Sequence, residues 1–290
     1  MNFDERALAF ACGDAWLYGV LTLPAQCARK GVLILVGGPQ YRAGSHRQFT
    51  LLARSLAANG VPVLRFDYRG MGDSEGEART FEDVEDDLLC AIDKFLVEVP
   101  SVSEVVIWGL CDAASAAIFY ACKDSRISGL VLLNPWVRTE SGSARAYLKH
   151  YYVSRLFQPE FWSKIRHGNL NIMAATRSLL DIIAEAVGGR KKNAVGVPNE
   201  TCDTCNMTPL PDRMFNALSR FRGKILVILS GNDLTGQEFS DLVKSSRQWR
   251  KLLTSSRVTS LSLPEANHTF SRREWRDQVA IWTKDWIYSW

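Results

Sequence analysis

Long hydrophobic runs are missing from this sequence. Stretches such as residues 32–36 are far too short to cross a bilayer, so no stable membrane insertion is expected. A phosphate-cradling GxxxxGK[ST] loop is missing, as is any zinc-type ligand spacing on a predicted scaffold. No metal and no cofactor are therefore expected. A large excess of one charge is missing too: 35 Lys and Arg against 31 Asp and Glu leave a formal charge of +4. That is too little to mark a nucleic-acid partner. The opening Met1-Asn2-Phe3-Asp4-Glu5-Arg6 lacks the basic-then-apolar order of a secretion signal. The seven cysteines are an odd number, which favours free thiols in a reducing compartment over a disulfide framework. A cytoplasmic location is the expectation.

What is present is an ordinary globular composition, 47% hydrophobic and 23% charged, in 290 residues. Residues 7–23 predict two strands joined at Gly13-Asp14. Residues 31–36 are apolar on both faces, as a central strand of a covered sheet must be. Phe49, Leu52 and Leu56 then sit at helical spacing within residues 46–59. The pattern repeats: a strand over 61–66, a Gly-rich turn over 67–74, and a helix capped at Thr80 and running to about residue 97. A strand over 104–108, a helix over 112–122 and a strand over 127–133 follow. The alternation stops at Asn134-Pro135. It resumes with a strand over 224–229, a helix over 238–253, a strand over 257–263 and a helix over 272–288. Alternating strands and helices predict a mostly parallel sheet with helices on both faces. Residues 1–137 and 214–290 form the expected α/β core, and residues 138–213 a helical insertion. The stripe Trp275, Val279, Trp282 and Trp286 on the last helix reads as core packing.

One segment carries chemistry. The strand ending Val105-Val106-Ile107-Trp108 runs into Gly109-Leu110-Cys111-Asp112-Ala113, and a helix rich in small residues follows at once. That is the strand–turn–helix setting of a nucleophile elbow, with cysteine in the nucleophile's place. Strained backbone at the nucleophile demands small neighbours two positions away, and Gly109 and Ala113 supply them. A helix N-terminus pointing at the thiol favours thiolate. The bland alternative is a buried small residue.

The chain order of an α/β-hydrolase is nucleophile, acid, histidine. After the strand over 224–229 comes Ser230-Gly231-Asn232-Asp233, which puts Asp233 where an orienting acid belongs; an Asx-turn or helix cap is its other reading. After the strand over 257–263 comes His268, in the loop before the last helix. It is one of four histidines, and His46, His150 and His167 do not occupy that place. Oxyanion stabilisation is expected from the backbone N–H of Asp112 and from the loop Gly37-Gly38-Pro39-Gln40. Pro39 has no N–H, which leaves Gln40 or Gly38 as the second donor.

The insertion is basic between Arg138 and Lys192 and carries interleaved aromatics. It reads either as a solvated helical cap or as a lid that attracts an anionic substrate. Tyr41, Trp136, Arg138 and Tyr151 are the residues expected to contact the substrate. Cys202-Asp203-Thr204-Cys205 is a CxxC without a second pair, in a polar stretch, and so is a poor metal or redox motif.

Five segments together resemble the exosortase A system-associated hydrolase 1 family. They are Gly37-Gly38-Pro39-Gln40-Tyr41-Arg42, Gly44-Ser45-His46-Arg47-Gln48-Phe49, the stretch 65–74 around Asp67-Tyr68-Arg69-Gly70-Met71-Gly72, the elbow 108–116, and Leu133-Asn134-Pro135-Trp136-Val137-Arg138-Thr139. The resemblance covers the core through the insertion. It implies an α/β-hydrolase fold with a lid, in a cytoplasmic bacterial enzyme from exopolysaccharide and protein-sorting gene clusters. The wider group looks like the bile-acid-CoA amino-acid acyltransferase and acyl-CoA thioesterase branch, whose members can carry a Cys–Asp–His triad. The expected function is acyl hydrolysis or transfer through a Cys111 thioester. The expected partner is a small acyl donor, preferably linked to CoA or a carrier. An esterase or lactonase acting on a small ester, and a non-catalytic binding module, are the alternatives.

Overall fold

A computed structural model describes residues 3–38, 40–137 and 208–290. The insertion expected over 138–213 lies for the most part outside them, as do Arg138, Tyr151, His150, His167, Cys202 and Cys205. Met1–Val137 and Pro211–Trp290 fold as one compact unit.

Eight strands make one sheet in the order β1-β2-β4-β3-β5-β6-β7-β8. The hairpin β1 (Phe3–Cys12) and β2 (Ala15–Pro24) turns at Gly13 and Asp14 and pairs antiparallel, with Cys12 opposite Ala15. β2 is also antiparallel to β4 (Val63–Asp67). From there on the sheet is parallel: β3 (Lys30–Leu35), β5 (Glu104–Leu110), β6 (Ile127–Leu133), β7 (Lys224–Ser230) and β8 (Val258–Leu263). The continuous apolar runs of β3, β5 and β6 are buried on both faces, which is why they occupy the middle.

Among the described residues the α-helices are α1 (Gln48–Ala58), α2 (Glu85–Glu98), α3 (Asp112–Ala121), α4 (Leu210–Arg220), α5 (Leu234–Ser245), α6 (Arg247–Leu253) and α7 (Arg273–Tyr288). Three differ from the sequence expectation. The second helix starts at Glu85 and not after Thr80: the Asp83 N–H closes a turn on the Thr80 carbonyl, and Val84 anchors the start in the core. The helix expected over 238–253 is two helices, broken at Ser246, whose extended backbone and side chain cap α6 by accepting from the Trp249 N–H. Helix α4 runs across the boundary expected at 213/214. The tryptophan stripe of α7 does pack on the core, with Trp286 buried and Trp275 and Trp282 partly buried against it.

Register decides where the chemistry falls. Leu35 pairs with Gly109, Leu110 with Leu133, Leu133 with Ile228, and Ser230 with Leu263. The parallel strands therefore end together, and the turns after β3, β5, β6, β7 and β8 emerge along one edge. Sites in such sheets form at the carboxyl ends of the strands.

Candidate active site

At the end of β5 the chain turns into α3 within a single residue. Cys111 takes φ 63 and ψ −125, a conformation that side-chain-bearing residues seldom adopt. Such strain costs about 1–3 kcal/mol and persists where the surroundings over-determine it. Here the Cys111 N–H donates to the Leu133 carbonyl at 2.9 Å, and its own carbonyl accepts from Ala114 at 3.1 Å and Trp136 at 3.2 Å. The small residues around it are a steric necessity. A Cβ on Gly109 would lie 2.7 Å from the Ala113 backbone, and one on Gly37 would lie 2.7 Å from the Leu110 carbonyl. The thiol is partly buried, at the N-terminus of a ten-residue helix.

His268 and Asp233 come to this thiol from the loops after β8 and β7. His268 Nδ1 lies 2.9 Å from Asp233 Oδ2, with the Asp233 side chain nearly buried. The N–H does not point straight along that line, so the contact is a bent charge-assisted one and not an ideally directed hydrogen bond. The Cys111 side chain lies close enough to the same imidazole to favour its protonated form. Asp233 first and Cys111 second push the His268 imidazolium up to about 10, against burial, which acts the other way. A protonated ring beside the sulfur is the partner a thiolate needs. Asp233 is both the neighbour of this imidazole and a helix cap. Its Oδ2 also accepts from the Gly236 N–H at 2.9 Å and so caps α5. One helix cap thus fixes the carboxylate in place for the histidine.

The loop after β3 holds a finding that spacing alone did not reveal. The Gly38 N–H donates to Asp112 Oδ2 at 2.9 Å, while Asp112 Oδ1 accepts from Ala113 at 2.9 Å. Burial pushes the Asp112 carboxyl up, and the Gly38 and Ala113 amides partly offset it. The Gly38 N–H is thus already engaged by the residue beside Cys111. Gln40 is held differently: its side-chain Oε1 accepts from the Ser45 N–H at 3.1 Å and from Gln48 Nε2 at 3.5 Å. The loop continues to Arg42, whose N–H donates to buried Asp67 at 2.6 Å.

Of the four residues expected to meet substrate, Tyr41 is 53% exposed next to this loop. Trp136 is partly buried; its N–H is bound to Cys111, and its carbonyl accepts from Ser115 Oγ at 2.7 Å. Arg138 and Tyr151 lie outside the described residues. His46 sits in the 3-10 turn Ser45–Arg47. Among the described residues no group of three His, Cys, Asp or Glu could hold a metal ion, and no helix is long and apolar enough to cross a membrane.

The family model described as serine aminopeptidase, S33, matches residues 28–181, more than half of the chain. This chain belongs to that family of α/β-hydrolases. The S33 match begins just before β3 and takes in the loop after β3 and the turn at Cys111. The family's description names serine, whereas the residue at the turn between β5 and α3 of this S33 chain is cysteine. Solved structures show the same fold over nearly the whole S33 chain. The Pyrococcus furiosus esterase Pf2001 is 17% identical, with 98% of this chain and 93% of that chain covered at a TM-score of 0.61. A dienelactone hydrolase from Anabaena variabilis is 16% identical, with coverage of 99% and 98% and a TM-score of 0.61. Est1E from Butyrivibrio proteoclasticus, solved with ferulic acid bound, is 15% identical, with coverage of 97% and 98% and a TM-score of 0.59. No curated protein matches the chain.

Proposed function

We propose that this α/β-hydrolase cleaves a small carboxylic ester through a thioester acyl-enzyme on Cys111, with His268 as proton carrier and Asp233 as its orienting acid. The single observation behind the proposal is that one imidazole contacts Asp233 at 2.9 Å and lies beside the side chain of Cys111, a residue strained into an elbow. The thiolate sulfur adds to the ester carbonyl, and the carbonyl electron pair moves to oxygen. Collapse expels the alkoxide, which takes the proton from the His268 nitrogen facing Cys111. Water then adds to the thioester and gives its proton back to that nitrogen. The carbon–sulfur bond breaks, releasing the acid and restoring the thiolate–imidazolium pair.

The oxyanion is assigned to two amides. Asp112 N–H follows the nucleophile and stands at the helix start. Gln40 N–H is the second, since Gly38 spends its proton on the Asp112 carboxylate and Pro39 has none to give.

An ester substrate is supported by the esterase and dienelactone hydrolase neighbours, and by ferulic acid bound to Est1E. The nucleophile itself favours a second reading. Sulfur exchanging with sulfur is close to balanced in energy, so a CoA- or carrier-linked acyl thioester suits Cys111 better than it would suit serine. The resemblance to the exosortase A system-associated hydrolase 1 family, with its cytoplasmic setting, is part of this proposal.

Intact-mass measurement after mixing with p-nitrophenyl butyrate or butyryl-CoA, beside Cys111→Ala, tests it. A transient butyryl adduct on the wild type only, with release of nitrophenol, supports the ester reading. An adduct from butyryl-CoA alone moves the assignment to thioesters. No adduct and no product with either donor points to a binding module on this fold.

A further inference from the structure

We infer that Asn134 is a positioning residue that holds the Asp233–His268 dyad in register with Cys111; the inference rests on the triad reading above. Asn134 follows β6 directly, is fully buried, and takes φ 42, a left-handed backbone that asparagine tolerates better than most residues. Its own N–H donates to the Ile228 carbonyl of β7 at 3.1 Å.

Its side-chain amide reaches both loops that carry the dyad. Oδ1 accepts the Ser230 N–H at 2.9 Å, and Nδ2 donates to Ser230 Oγ at 2.7 Å, gripping the last residue of β7 from both sides. The second Nδ2 proton goes to the main-chain carbonyl of His268 at 3.3 Å. That satisfies both donors and the carbonyl of the amide. Gly236, whose N–H caps onto Asp233, packs against the same group: a Cβ there would lie 2.8 Å from Asn134 Oδ1. The neighbouring Leu133 carbonyl holds the Cys111 N–H at 2.9 Å. The nucleophile, the acid's strand end, the acid's helix and the base's loop are thus all fastened to one dipeptide, Leu133-Asn134. A residue that only sealed the sheet end would have no need of the His268 carbonyl.

The test compares iodoacetamide labelling of Cys111 across pH, by peptide mass spectrometry, in wild type, His268→Ala and Asn134→Ala. It is paired with kcat and KM on p-nitrophenyl acetate and a check of folding by circular dichroism. Wild-type labelling at neutral pH is expected to be faster than that of His268→Ala, because His268 lies beside the sulfur. His268→Ala should move it toward the alkaline range of an ordinary thiol, near about 8.5. Asn134→Ala should shift it part of the way in the same direction. Its kcat should fall about 30- to 100-fold, the scale of a misplacement near 1 Å, while KM changes less than about 3-fold. If wild type and His268→Ala label alike, the triad reading fails and this inference with it. If those two separate but Asn134→Ala keeps the wild-type profile and kcat, whatever its stability, the inference alone is overturned. Should Asn134→Ala not fold, Ser230→Ala removes one of the three bonds and is read in the same way. It should show a shift of the same sign with about a 2- to 10-fold loss of kcat, and a wild-type profile there overturns the inference.

Discussion

Two turns at the carboxyl edge of the sheet both lean on an aspartate, and they use it in opposite ways. At the turn that leaves β4, the strand's last residue, Asp67, is fully buried and accepts from the Arg42 N–H at 2.6 Å, the Arg42 guanidinium, and the Asp73 N–H at 3.3 Å. Two residues on, Arg69 pairs with buried Asp87 through Nε at 3.1 Å and Nη2 at 2.9 Å. Every partner of these two carboxylates is an arginine or main chain, so the turn is fixed in shape. In the turn after β7, Asp233 shares its Oδ2 between one backbone N–H and one imidazole. A carboxylate held by arginine builds structure. One held by a cap and a titratable ring controls a proton.

The sharpest way to break that comparison is Asp233→Asn. Asparagine caps a helix as well as aspartate does, so α5 and the stability of the fold should be nearly unchanged. The imidazole, however, loses the charge that selects its tautomer, and ester hydrolysis should fall on the order of 10³-fold or more. Steady-state kinetics beside urea unfolding would check both halves. A variant that lost stability and kept its rate would put Asp233 in the same class as Asp67. Asp87→Asn is the mirror experiment. It leaves the Arg69 guanidinium, in a mostly buried site, with only the exposed Asp86 at 3.4 Å as counter-charge and should cost about 3 kcal/mol of unfolding free energy. The rate per folded molecule should stay within a few-fold of wild type. A lower urea midpoint at constant m would be the signature.

The difference between the turns was only half visible in the sequence. Alternation, Gly stops and continuous apolar runs carried β3, β5, β6 and β7 almost to their ends, because burial on both faces of a parallel strand leaves a pattern that depends on local residues alone. The elbow was legible for the same reason: Gly109, Cys111 and Ala113 are constrained by their own turn. Helix starts were less so. Thr80 looks like a cap, yet the start is set by Val84 reaching the core, and Ser246 splits a helix whose periodicity runs straight through it. Least legible were contacts across the fold. Nothing in Gly38 or Asp112 announces a bond between residues 74 apart in sequence, and nothing in Asn134 announces Ser230 or the His268 carbonyl. The signal available was indirect: a short acidic side chain directly after the nucleophile, within reach of the loop that should donate to the oxyanion.

The Gly38–Asp112 bond sharpens the comparison at the next level, since Asp112 is a third carboxylate of the edge and its partners are again main-chain amides. If the second oxyanion donor is Gln40, then Gln40→Ala should cost only a few-fold, through loosening of the Ser45 and Gln48 contacts. Gln40→Pro, which also removes the N–H, should cost a further factor of about 10²–10³ in kcat. Equal rates for the two variants would return the role to Gly38 and require Asp112 to release it during turnover.

The smallest effect concerns protons alone. His268 binds its proton more tightly in the folded chain, up to about 10 against an ordinary 6.5, chiefly because of Asp233 and then Cys111. A raised folded value means that the contribution to stability is complete below about pH 6.5 and is lost as pH rises toward about 10. One proton sets a ceiling of about 1.4 kcal/mol per pH unit. The actual slope should be shallower, because about a third of the side chain faces solvent, which screens the pair. Urea unfolding from pH 6 to 10 should therefore show wild type losing stability relative to His268→Gln across that window. An identical slope in both proteins would mean that the His268–Asp233 contact stores no proton energy. The two turns would then differ in geometry only.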